Sequence, residues 1–192
     1  MRSGFWMKVM GGLGALWLLY VLVSASQPYN SDAPTLSTKE AMAAIAGFDE
    51  AFPPRPLPPM TFDNVAGSST LHDLATPILV TLFIPPRCNG CAMAIEKLTT
   101  TAALTHELLE KDKLHLTILY IRQATVPQPP TPAIFTLADP KGKFSRYINT
   151  KSLDPTLVVY YRDRGEVGRL TDGTSWDPVD LAALLQTLHT GT

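Results

Sequence analysis

Cysteine is almost missing from this chain: two residues in 192. That excludes a small fold stapled by disulfides, and the length leaves room for one domain of average size with its own core. An excess of charge of either sign is missing too. Sixteen Lys and Arg stand against 17 Asp and Glu, a net charge of −1, and no dense basic block occurs. Phosphate backbones are held by clustered cations, so nucleic acid is excluded as a partner. No internal repeat and no Ser/His/Asp spacing stands out. Gly11-Gly12-Leu13-Gly14 has no strand before it, so it is not a nucleotide loop.

Charge is also missing from Val9 to Ser31, between Lys8 and Asp32. Arg2 and Lys8 ahead of the apolar run Val9–Val23 fit a secretory signal, with Val23-Ser24-Ala25 before a cut. They fit better an uncleaved anchor, because Phe5–Ala25 has the roughly 17–25 residues of a membrane span. Either reading puts the chain beyond Ser26 outside the cytoplasm. The expected location is a bacterial cell envelope, with the domain facing the periplasm or exterior, anchored or released near Ala25. The expected organisation is 1–25 anchor or signal, 26–59 tether, and 60–192 domain.

Within the tether, Ser37-Thr38-Lys39-Glu40 has capping-box spacing and opens a short helix to Phe48. Phe52-Pro-Pro-Arg-Pro-Leu-Pro-Pro59 is extended and stiff, a spacer on the domain surface. In the domain, Met60–Asp63 predicts a strand, Gly67–Thr70 a turn and Leu71–Leu74 a helical turn. Ile78–Ile84 is continuously apolar, as for a central strand covered on both faces. Ala92 to about Glu110 predicts a helix, weakened at Thr99–Thr101. Leu114–Ile121 and Ala133–Leu137 read as strands with a proline-rich loop between them, and Asp139–Gly142 as a turn. Phe144–Ile148 reads as one or two helical turns. Thr156–Tyr161 and Glu166–Leu170 read as a hairpin, and Asp177-Pro178 opens a C-terminal helix through Leu181–Leu188.

Both cysteines fall in Cys88-Asn89-Gly90-Cys91, between the apolar strand and the helix. At such a junction unpaired helix N–H groups and the positive end of the dipole favour a thiolate. Arg87 pushes the same way. Cys91, three residues on, is close enough to close a disulfide with Cys88. The pair reads as a device that cycles between dithiol and disulfide.

The order strand, C-x-x-C, helix, strand, hairpin, helix is that of the thioredoxin fold: a central mixed sheet flanked by helices. The segment from about Thr61 to Leu188 resembles the exported, membrane-tethered thioredoxin-like proteins of the TlpA and ResA type. The resemblance rests on Thr61-Phe62-Asp63 through Leu71-His72-Asp73-Leu74, on Cys88-Asn89-Gly90-Cys91, on Asp139-Pro140-Lys141-Gly142 and on Leu153-Asp154-Pro155-Thr156-Leu157-Val158-Val159. It implies a redox-active Cys88–Cys91 disulfide, with Cys88 attacking and Cys91 resolving. It also implies a cis Pro155 facing the pair, which shapes a groove for an extended substrate peptide.

Two departures from thioredoxin stand out. Leu82 occupies the place of a buried acid that helps deprotonate the second cysteine, and Arg87 replaces a tryptophan. Asp154, beside Pro155, disfavours the thiolate and opposes Arg87. The resemblance inclines the reading toward a reductase of cysteine-containing exported proteins. A separate membrane electron donor or acceptor must serve it, since no cofactor is expected and the chain has no second redox site.

Three alternatives remain open. A static bridge across three residues removes little unfolded-state entropy. Metal binding is disfavoured, because a structural zinc site needs four ligands and His72, His106, His115 and His189 lie apart. A redox-inert thioredoxin-like module, such as a copper carrier using both thiolates near Met93 or an envelope-complex assembly factor, is kept alive by Leu82, Arg87 and Asp154.

Overall fold

A computed structural model describes residues 37–56, 61–64, 67–70, 77–144, 153–161 and 165–190. The apolar N-terminal stretch, the turn expected at Leu71–Leu74 and most of Phe144–Ile148 lie outside the described residues. Among the described residues no helix is long and apolar enough to cross a membrane.

The elements are α1 (Thr38–Ala44), β1 (Phe48–Arg55), β2 (Thr61–Asn64), β3 (Gly67–Thr70), β4 (Ile78–Ile84), α2 (Cys91–Leu104), α3 (His106–Glu110), β5 (Leu114–Ile121), β6 (Ile134–Asp139), β7 (Thr156–Tyr161), β8 (Gly165–Leu170) and α4 (Pro178–Thr190). The eight strands form one sheet in the order β1-β8-β7-β4-β5-β6-β2-β3. It is mixed: β4 runs parallel to β5 and antiparallel to β7, and β5 runs parallel to β6.

β4 is buried along its whole length because each face of the sheet is covered. Successive strand side chains point to opposite faces. Ile78, Val80, Leu82 and Ile84 therefore join one cluster, with Leu116, Ile118, Tyr120, Leu157 and Val159. Leu79 and Phe83 join the other, with Leu119, Ile121, Val158 and Tyr160. All four helices supply the first cluster: Ala41 and Met42 from α1, Ala94, Leu98 and Ala102 from α2, Leu108 from α3, and Leu181, Leu184, Leu185 and Leu188 from α4. The α2 and α4 positions recur at three- and four-residue intervals, one apolar stripe per helix. On the opposite face Phe144 stacks on Phe83 at 4.6 Å between ring centroids. Each fully buried leucine or isoleucine here contributes about 1.5–3 kcal/mol.

The structure corrects several expectations. α1 is closed by the expected capping box, with Ser37 N–H donating to Glu40 Oε2 (2.8 Å) and Glu40 N–H to Ser37 Oγ (3.3 Å), but it ends at Ala44 rather than Phe48. Neither α1 nor β1 behaves as a tether. β1 pairs with β8, Ile45 is buried beside Ala41 and Met42, and the compact unit begins at Leu36. β1 tolerates Pro53 and Pro54 because it is the sheet edge and its pairing with β8 is interrupted between Glu50 and Arg55, where both prolines fall. Gly67–Thr70 is a strand paired with β2, not a turn.

The helical segment breaks at Thr105, not at Thr99–Thr101. The hydroxyls of Thr99, Thr100 and Thr101 donate to the carbonyls of Ile95, Glu96 and Lys97 at 2.9–3.1 Å. Back-bonding of this kind satisfies the hydroxyls without interrupting the backbone ladder.

Candidate functional site at the end of the central strand

β4 leads through buried Pro85 and exposed Pro86 and Arg87 to Cys88, and α2 opens at Cys91. The two cysteines are joined in a disulfide, with Cα atoms 5.7 Å apart, inside the usual range for such a bridge. The helix thus begins at the second cysteine. Cys88 stands in front of the helix N-terminus rather than within its first turn.

The first intrahelical bond runs from Ala94 N–H to Gly90 O, so the N–H groups of Cys91, Ala92 and Met93 lack intrahelical partners. Gly90, the N-cap, carries no side chain to occupy them. A Cys88 thiolate, once the bridge is opened, faces uncapped donors and the positive end of the dipole.

Gly90 adopts a left-handed φ of +77°, and a Cβ there would meet Thr174 Cγ2 at 2.6 Å. Glycine is required at this position for both reasons. Neither is visible in the C-x-x-C motif alone, where Gly90 signals only a loss of rigidity.

Pro155 is brought to the pair by two connections. Phe83 is in register with Thr156, which sets Pro155 at the end of β4, and Asn89 N–H donates to Leu153 O at 3.2 Å. Pro155 is buried and Asp154 half-buried. Two apolar side chains stay exposed at this end, Met93 at 52% and Leu153 at 55%.

The loop between β8 and α4 packs over the same place. Gly173 N–H donates to Pro155 O at 2.7 Å, and a Cβ on Gly173 would lie 2.6 Å from that oxygen. Trp176, 1% exposed, donates its indole N–H to Gly173 O at 2.8 Å. Asp172 Oδ1 accepts from the hydroxyl and the N–H of Thr174. Those two bonds, the hydroxyl first, hold the Asp172 carboxyl below its ordinary value, with Lys97 helping. Sequence reasoning misses this loop. Its signal is the glycine in Asp172-Gly173-Thr174, directly ahead of the Asp177-Pro178 helix start.

Leu82 is fully buried. It lies between Ile118 and Leu157 in the sheet, on the face against which Cys91 also packs. Where thioredoxin has an acid there is hydrocarbon. The buried carboxylates among the described residues are Asp139 and Glu166. Asp139 caps Lys143 and Phe144 N–H, and Glu166 is paired with Arg169.

Tyr120, buried on the Leu82 face, has its phenol pushed up by desolvation. Among the described residues no group of three or more His, Cys, Asp or Glu side chains could hold a metal. His115 packs edge-on against Phe135.

No protein-family model matches the chain, and no curated protein matches it. Solved structures do. A DsbF homologue from Corynebacterium diphtheriae aligns with a TM-score of 0.55 at 14% identity, over 73% of this chain and 92% of its own. A secreted Mycobacterium tuberculosis disulfide oxidoreductase homologous to Escherichia coli DsbE aligns at 0.50 and 16%, over 67% and 95%. BsSco, of the Sco family of cytochrome c oxidase assembly proteins, aligns at 0.52 and 13%, over 75% and 99%. The fold is thioredoxin-like, and at these identities the likeness is one of fold.

Proposed function

We propose that this chain is a thiol–disulfide oxidoreductase of the cell envelope, acting on cysteines of exported proteins. The observation that carries the reading is the Cys88–Cys91 bridge at the mouth of α2, with Pro155 and the Asp172–Trp176 loop packed beside it. A bridge closing so short a loop adds little stability, so its worth lies in its chemistry.

In the reducing direction the Cys88 thiolate attacks a partner disulfide, forming a mixed disulfide and releasing one partner thiolate. Cys91, deprotonated, then attacks Cys88 Sγ and releases the second. Two electrons pass to the partner and the Cys88–Cys91 bridge re-forms. Cys88 is the attacking atom because it faces the uncapped helix N-terminus, and Arg87 favours its thiolate while Asp154 opposes it. Cys91 packs against the apolar cluster to which Leu82 belongs, so its proton leaves to solvent or to the departing thiolate, and resolution is the slow step. Pro155, without an N–H, keeps a donor out of the zone where a substrate strand lies. A separate membrane donor restores the dithiol.

Export rests on Arg2, Lys8 and the apolar run Val9–Val23. It agrees with the secreted character of the mycobacterial protein of like fold and with the compartment where disulfide exchange belongs. We take the apolar run as an uncleaved anchor, as in the TlpA and ResA type that the sequence resembles.

Replacing Cys91 by Ser tests the reading. Mixed disulfides between Cys88 and exported proteins should accumulate and vanish on reduction. If none form, and the wild-type chain neither reduces nor oxidises a model protein disulfide, the chain is a redox-inert thioredoxin-like module instead.

A further inference from the structure

Lys97 lies six residues beyond Cys91 on α2 and is the only Lys or Arg between Arg87 and Lys111. Its ammonium forms no ion pair among the described residues. Nζ donates instead to two backbone carbonyls of one loop, Thr174 O at 2.5 Å and Trp176 O at 2.7 Å, and stands 6.0 Å from the centroid of the Trp176 ring. A lysine spent on two main-chain oxygens is a fastening, because an ammonium otherwise keeps its hydration.

That fastening joins the two halves of the site. The loop it grips puts the Thr174 side chain against Gly90 and hangs Gly173 from Pro155 O. Trp176 fills the space beneath, and Asp172 closes the turn on Thr174. Among the described residues, the two Lys97 bonds are the hydrogen bonds that join α2 to this loop. Without them the loop keeps its bond to Pro155 and the packing of Trp176, and loses the hydrogen bonds that fix it to the helix that carries the disulfide.

We propose that Lys97 is a positioning residue that keeps the Asp172–Trp176 loop seated on Gly90 and Pro155, so that the wall a substrate polypeptide meets beside Cys88 is preformed. The proposal rests on the oxidoreductase reading above. It assigns Lys97 to recognition of protein substrates rather than to sulfur chemistry. A small disulfide needs no wall and a polypeptide does.

The test compares two substrates on the full chain, a protein disulfide, insulin, and a small one, oxidised glutathione, with a small dithiol supplying the electrons and its direct reaction subtracted. Lys97→Met keeps the apolar stem and removes the donors. Loss of hydrogen bonds made by a charged donor is expected to raise KM for insulin about tenfold. kcat and the glutathione rate should stay within about twofold, and the reduction potential should not move. Lys97→Arg, whose fork also bridges two carbonyls, should recover most of the insulin KM.

Equal slowing with both substrates, a shifted potential, or no effect on insulin overturns the proposal. Should Lys97→Met fail to fold, Lys97→Gln is read on the same pair and must show the same split. A wild-type chain inert toward both substrates defeats the oxidoreductase reading itself, a different result from a missing split in an active enzyme.

Discussion

Gly173→Ala strikes the contact between the Asp172–Trp176 loop and Pro155 directly. The added Cβ would lie 2.6 Å from Pro155 O and 2.9 Å from Pro155 C, against an ordinary contact of about 3.5 Å. Neither atom can yield. Both are backbone, one residue ahead of β7, whose Thr156 is in register with Phe83 on the central strand. The loop must therefore retreat by close to an ångström, which stretches the 2.7 Å bond from Gly173 N–H to Pro155 O beyond useful range.

Losing that bond costs about 0.5–1.5 kcal/mol, and overpacking about 1–3 kcal/mol. Reduced entropy of the unfolded chain returns about 0.4–1 kcal/mol. The net is a loss of about 0.5–4 kcal/mol. Gly47→Ala is the control: it has a left-handed φ of +74° but nothing within 4 Å. Its cost is the backbone strain of about 1–2 kcal/mol less the same entropic return, about 1 kcal/mol net.

The assay is urea unfolding of the oxidised chain at constant m-value, with insulin reduction measured alongside. Gly173→Ala should lose more stability than Gly47→Ala, and it alone should slow insulin reduction. If the two variants unfold together and both reduce insulin at the wild-type rate, the loop does not rest on Pro155 and the site has been wrongly drawn.

Other parts of the chain carry expectations of their own. Glu166 is 1% exposed and paired with Arg169 through two bonds of 2.6 Å, so Glu166→Ala removes two charge-assisted hydrogen bonds and should cost about 1.5–3 kcal/mol in urea unfolding. Asp172 and Glu40 both have carboxyls held below their ordinary values of 3.8 and 4.5. The stability they add is present above those values and lost as the pH falls through the lower folded ones. Unfolding midpoints should therefore drop below about pH 4, and Asp172→Asn should flatten part of that acid limb. Asp154→Asn removes the negative charge beside the pair, so the pH profile of Cys88 alkylation in the reduced chain should move to lower pH. An unmoved profile would show that Asp154 does not act on the sulfur.

How much of the molecule is legible in its sequence depends on how local the cause is. β4, β5 and the C-terminal helix announce themselves, because an apolar run or a cap before an apolar stripe is decided within its own segment. The capping box at Ser37–Glu40 is equally local. β1 is hidden because Pro53 and Pro54 read as a bar to sheet structure, and edge placement is settled only by β8, more than a hundred residues away. β3 is hidden in Gly67-Ser68-Ser69-Thr70, a composition that suits turns, and it becomes a strand by pairing with β2.

At the site, Cys88 and Cys91 are visible as a motif. The helix start is legible to within a residue, Cys91 against the expected Ala92, whereas the left-handed Gly90 that precedes it, with Thr174 against it from across the fold, is not. Lys97 carries a faint signal as the single cation of α2, next to Glu96 on a helix whose other residues are apolar or threonine. Its partners are main-chain oxygens, and no side-chain pattern records those.

The central claim, that the Cys88–Cys91 bridge opens and closes in exchange with other thiols, is tested most directly by equilibrating the full chain with glutathione over a wide range of ratios. The fraction of dithiol is then quantified by alkylation. The account predicts a reversible two-electron transition, lying near or below about −270 mV if the chain works as a reductase. A bridge that stays closed across the whole range, or that opens only when the chain unfolds, would contradict it.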